Sequence, residues 1–75
     1  MRTNVEHLRE LYPSGTRVKL TANLNDPQPI EAGTCGTVLC VDGIGQLIMK
    51  WDNGRSLALI PGVDSFVKIQ STTHD

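Results

Sequence analysis

Very little in this sequence belongs to a membrane protein, a disulfide scaffold or a general nucleic-acid carrier. No apolar run approaches the ~20 residues needed to cross a bilayer. The first residues, MRTNVEHLREL, lack the apolar core of a secretory leader, so a cytoplasmic protein is expected. Neither sign of charge dominates: seven Lys and Arg against eight Asp and Glu leave a net charge of −1, without the bulk positive field of a general nucleic-acid binder. Aromatic residues are scarce, with one Trp, one Tyr and one Phe, which argues against the multi-aromatic shelf of a polyproline reader.

Cysteine is scarce too. Cys35 and Cys40 fall five positions apart on one expected strand, roughly 16 Å from each other along it. A disulfide tolerates less than about 7 Å between Cα atoms. No histidine or further cysteine stands at ligand spacing, so neither a disulfide nor a metal site is expected, and no motif calls for a cofactor. Catalytic pairing is missing as well. Asp52 and Asp64 sit in turn sequences, where carboxylates usually cap backbone N–H groups. His7 lies on a short helix and His74 in the tail, and Ser56 and Ser65 have no identifiable base. General acid-base work needs paired groups in contrasting environments, and no enzymatic activity is expected.

What is present is alternation. Between Gly33 and Ile60 three strand-length runs rich in Val, Ile, Leu, Thr and Trp are separated by Asp42-Gly43-Ile44-Gly45 and by Asp52-Asn53-Gly54. A three-residue second turn with Gly54 left-handed aligns Leu47 with Leu59 and Met49 with Leu57. A two-residue turn would mix polar and apolar residues on both faces, and a slip of one residue exchanges the faces, so the longer turn is expected. A four-residue first turn at 42–45 then pairs Cys40 with Leu47 and Val38 with Met49, and sets Gly36 beneath Trp51, a recognised way to cover a bare strand position. The expected inner face is Val38, Cys40, Leu47, Met49, Trp51, Leu57 and Leu59. Leu39, Val41, Ile48 and Ala58 fall on the outer face, where a fully solvated sheet carries polar residues.

At 75 residues the chain makes one domain with a core worth about 3–5 kcal/mol. The spacing of Val5, Leu8, Leu11 and Tyr12, after a Thr3-x-x-Glu6 capping box, predicts an amphipathic helix over 4–11, docked on apolar surface because two turns are unstable alone. Thr16 to Leu20 reads as a strand with Val18 and Leu20 inward. Residues 21–33 form a long loop stiffened by Pro27 and Pro29, either closed over the core by Leu24 and Ile30 or serving as the rim of a site. Residues 60–64 suggest one helical turn before a last strand, Phe66 to Gln70, with Val67 and Ile69 inward. The expected organisation is an N-terminal helix at 1–12, a barrel at 13–70 and a polar tail at 71–75. The expected fold class is all-β: a small five-stranded SH3-like, KOW-like barrel with a short N-terminal α-helix.

From Tyr12 to Ile69 the sequence resembles a domain-of-unknown-function family of short proteins frequent in phages, prophages and mobile elements of Gram-positive bacteria. The matching stretches are Pro13-Ser14-Gly15-Thr16-Arg17-Val18, Asp26-Pro27, Gly33-Thr34, Gly36-Thr37-Val38, Val41-Asp42, Gly45-Gln46, Trp51-Asp52-Asn53-Gly54 and Leu57-Ala58-Leu59-Ile60-Pro61-Gly62-Val63-Asp64. The resemblance implies a phage or mobile-element origin and carries no established activity. Glu31-Ala32 depart from the pattern, where prolines are usual. Leu39 and Ile48 replace more polar residues and make this outer face greasier than the pattern. Residues 36–42 also resemble the turn-and-strand signature of KOW-type barrels.

Three functions are expected to compete. Leu39, Val41, Ile48 and Ala58, rimmed by Thr37 and Lys50, form an apolar group suited to a host or phage protein or to a second copy of the chain. Arg17, Lys19 and Lys68 are expected to project from neighbouring strands as a basic stripe for local nucleic-acid contact. The phage resemblance adds inhibition of a host defence system, by sequestering a protein or a nucleotide signal.

Overall fold

The computed structural model describes residues 4–24 and 27–69. The chain begins with helix α1, Asn4–Leu11, over the span that its apolar spacing predicts. Thr3, the expected cap, lies outside the described residues. The Tyr12 amide still donates to the Leu8 carbonyl at 2.8 Å, and Pro13, which has no N–H to give, ends the run. Val5, Leu8 and Tyr12 pack against the core, and the first two lie over Gly45, where a Cβ would stand 3.6 Å from Leu8 and 3.9 Å from Val5. The helix therefore covers the end of the core at the first hairpin turn.

Four antiparallel strands follow: β1, Arg17–Leu20; β2, Cys35–Val41; β3, Leu47–Trp51; and β4, Phe66–Ile69. Their order in the sheet is β3-β2-β1-β4. The expected fifth strand over 55–60 is reduced to a single bridge, in which Leu47 and Leu59 exchange backbone hydrogen bonds of 2.9 and 3.0 Å. Among the described residues the sheet is four-stranded, and it does not close into a barrel. One cause is visible at Leu57. Its carbonyl accepts the indole N–H of Trp51 at 2.8 Å, and the Met49–Leu57 rung that would continue the ladder is missing.

Both hairpins close with the same device. The Trp51 amide donates to the Arg55 carbonyl at 2.9 Å across Asp52-Asn53-Gly54, with Gly54 at φ +90°, as the side-chain pattern requires. The first hairpin uses three residues as well, not four: the Asp42 amide donates to the Gln46 carbonyl at 2.9 Å, with Gly45 at φ +88°. Val41 then pairs with Leu47, and Cys40 with Ile48. A β-bulge between Val38 and Cys40 restores the Val38–Met49 and Gly36–Trp51 pairs. The bulge gives β2 two consecutive outward residues, Leu39 and Cys40, between inward Val38 and Val41. The expected faces of Cys40 and Val41 are thus exchanged: Cys40 is exposed, and Val41, 5% exposed, is a core residue.

β4 also runs one residue out of the expected phase. Leu20 pairs with Phe66 and Val18 with Lys68, so Phe66 faces the core side and Val67 is 48% exposed. The Phe66 ring packs against Tyr12, their centroids 5.8 Å apart, and the larger aromatic contact wins over that of the β-branched residue. Ahead of β4, the expected helical turn at 60–64 is a tight turn. The Val63 amide returns to the Ile60 carbonyl at 3.0 Å, with Pro61 second and Gly62 at φ +89° third, the residue preference of a type II turn. Residues 21–24 and 27–33 carry a return toward the sheet, with Leu24 and Ile30 bridged at 2.9 Å and buried at 4% and 1% exposure.

Val18, Leu20, Val38, Leu47, Met49, Trp51 and Leu59 make the centre of the core. A Cβ at Gly36 would lie 2.6 and 3.0 Å from carbons of the Trp51 six-membered ring and 3.1 Å from the Met49 methyl. Both partners are buried at 1% exposure, so the added carbon overpacks the core. Gly36→Ala is expected to lower the free energy of unfolding by about 2–3 kcal/mol. Gly43→Ala, where a Cβ meets nothing within 4 Å, should change it by less than about 0.5 kcal/mol. Urea titrations of the two variants make the comparison.

Candidate functional site

Residues directly opposite each other in an antiparallel pair share a face. The Cys40–Ile48 and Thr37–Lys50 pairs therefore place these four side chains on one side of the sheet, away from the core. Ala58 joins them, because the Leu47–Leu59 bridge sets it beside Ile48. Leu39 is 47% exposed at the bulge, Ile48 and Ala58 are half-buried, and neither of the latter two packs against the core cluster. Of the six residues expected to form an interaction surface, Leu39, Ile48, Ala58, Thr37 and Lys50 lie outward. Val41 does not, and Cys40 stands where Val41 was expected. Val5 and Leu8 of the helix go to the core and to Gly45, and Leu11 is 39% exposed.

The basic residues divide. Arg17 and Lys19 are on the outward side with Thr37 and Cys35, their partners on β2. Lys68, opposite Val18, is on the core side at the margin of the sheet. Its ammonium donates to the Leu11 carbonyl at 2.6 Å and lies 5.3 Å from the centroid of the Tyr12 ring. The three cations expected to form one stripe therefore do not share a face, and two of them have partners within the chain.

The acidic turn residues act as caps, with one exception. Asp42 accepts the amides of Ile44 and Gln46 at 3.1 and 2.8 Å, and Asp64 accepts that of Ile60 at 2.8 Å. Asp52, expected to cap as well, leaves that work to Asn53, whose side chain accepts the Arg55 amide at 2.9 Å. Among the described residues no group of three or more His, Cys, Asp or Glu is placed to hold a metal ion. Cys40 on the outward face was the residue most open to earlier detection. Gly45 stands to the first hairpin as Gly54 does to the second, so the same turn rule applied twice points to it.

The model of one family, described as a domain of unknown function (DUF4314), matches residues 1–69 of the chain. No curated protein and no solved structure matches it.

Asp52 is turned toward Arg17, 35 positions away in the chain. The guanidinium donates to both carboxylate oxygens, at 2.8 and 2.7 Å, and to the Thr37 hydroxyl at 2.9 Å. This fork ties β1, β2 and the second hairpin together on the outward face. The hydrogen bonds from Arg17 hold the Asp52 carboxyl below its ordinary value of 3.8 and, reciprocally, raise Arg17. A carboxyl depressed on folding stabilises the fold above its unfolded value, and the contribution is lost as pH falls through the lower folded value. Side-chain carbonyl NMR should show Asp52 titrating below 3.8 in the native chain and returning to the ordinary range in Arg17→Ala. An ordinary midpoint in the native chain would mean that the fork does not persist in solution.

Proposed function

The chain belongs to the family of unknown function DUF4314, and we propose that it is a non-catalytic binding module that engages another protein through the outward face at the β2 bulge. The observation that carries this reading is the grouping of Leu39, Cys40, Ile48 and Ala58 outside the core, with Lys50 and Thr37 at the rim. An outward apolar group of this kind, bordered by polar side chains, is characteristic of protein contact surfaces. The resemblance to phage and mobile-element domains supports a partner in a bacterial cytoplasm. It also supports reading the sheet and the 55–60 segment as an opened SH3-like barrel, with that segment in place of its fourth strand. Nucleic-acid contact is the weaker alternative, because Arg17 is held by Asp52 and Lys68 by Leu11 and Tyr12.

The test uses the whole chain as bait in nuclease-treated bacterial lysate, beside Ile48→Asp. A retained protein that survives the nuclease and is lost with Ile48→Asp, while the variant's unfolding free energy stays within about 0.5 kcal/mol, is the expected result. Three results overturn the reading: retention that disappears with nuclease, retention unaffected by Ile48→Asp, or a variant that unfolds. The last would show that the chain itself covers Ile48. Mass measurement of the free protein reads out self-association through the same face.

A further inference from the structure

A cleft of about 180 Å³ lies between the end of α1 and the β2 bulge, lined by Arg9, Tyr12, Pro13 and Ser14 on one side and by Leu39, Cys40 and Val41 on the other. Its size indicates what it can seat. An enclosed cavity of about 150 Å³ admits benzene, whereas pockets for drug-sized ligands run from about 300 Å³ upward. This open cleft therefore seats one apolar side chain or ring, and a nucleotide would extend well beyond it.

Its charge narrows the choice. The Nε and Nη2 atoms of Arg9 each donate to the Val41 carbonyl at 3.3 Å, long contacts that occupy two of five guanidinium donors. Those are its contacts among the described residues, and no ion pair to Arg9 occurs there. Glu10, the next residue on the helix, projects about 100° away around the axis. The cleft thus combines an apolar wall at Leu39 and Pro13, hydroxyl-bearing Tyr12 and Ser14, and one cation with donors to spare. That combination is complementary to an apolar group carrying a carboxylate. Room for a single residue requires both features on the same residue, and a natural amino acid has an apolar side chain and a carboxylate together only at the end of a chain.

We infer that this cleft binds the C-terminal residue of a partner polypeptide, its aliphatic side chain against Leu39 and its α-carboxylate on Arg9. Terminal carboxylate capture is an established mode of peptide recognition. The cleft shares Leu39 and Cys40 with the outward face but uses neither Ile48 nor Ala58, so Ile48→Asp tests that face without removing a residue of the cleft.

The experiment is an amide-detected NMR titration of the full chain with N-acetyl-L-leucine and, separately, with its neutral amide. The expected result is saturable shifts confined to residues around Ser14 and Leu39–Val41, with the acid binding about tenfold more tightly than the amide. Arg9→Gln should bring the two ligands to parity, and Arg9→Lys should keep part of the preference. Absence of shifts at the cleft, shifts centred elsewhere, or equal binding of acid and amide by the unmodified chain overturns the inference. The acid-to-amide ratio in the unmodified chain decides the matter even where a variant fails to fold.

Discussion

The interior of this sheet is arranged about one contact, the Trp51 ring lying against a residue with no side chain. Gly36 brings the β2 backbone close enough that an added carbon would sit 2.6 Å from the ring. The indole fills that space and is 1% exposed, and burial of so large an aromatic is among the largest apolar contributions available to a chain of this size. Its N–H needs an acceptor inside the protein, because an unmet donor there is costly. The Leu57 carbonyl supplies it, at the expense of a rung between β3 and the segment that follows. One buried ring thereby fixes the register of β2 on β3 and also leaves the sheet open at its β3 edge.

Polar contacts then join what the sequence separates. Arg17 and Asp52 close across the outward face, Lys68 reaches the end of α1, and Arg9 returns from α1 to β2. Each links elements that the central meander alone would leave independent. They also account for three of the seven Lys and Arg side chains, which lowers the free positive charge that a near-neutral chain can offer a polyanion.

Local signals were legible in the sequence, and long-range ones were not. Apolar spacing and Pro13 gave the bounds of α1, and the side-chain pattern around Asn53-Gly54 gave the second turn and the buried tryptophan. The Gly36–Trp51 pair was reached through two offsets that cancel: a first turn one residue shorter than expected, and a bulge that adds one residue back. Strict alternation over Val38-Leu39-Cys40-Val41 hides such a bulge, because Cys40 is as acceptable inside a small core as Val41. The phase of β4 was misread for a similar reason: Phe66, Val67 and Ile69 are all apolar, and only the Tyr12 ring packed on Phe66 selects the face. The Arg17–Asp52 fork and the cleft beside Arg9 leave no periodic trace, since they join positions more than 30 residues apart.

The bulge in β2 is a feature of one residue. Deleting Leu39 alone, with the three-residue turn at Gly43–Gly45 kept, leaves Val38, Cys40 and Val41 opposite Met49, Ile48 and Leu47 and alternating in, out and in, so Val41 stays in the core. That single change restores a regular strand and erases the paired outward residues at Leu39 and Cys40. Relatives that differ in the length of this hairpin are therefore expected to gain or lose the protrusion as a unit, which makes a single insertion a coarse dial on surface shape.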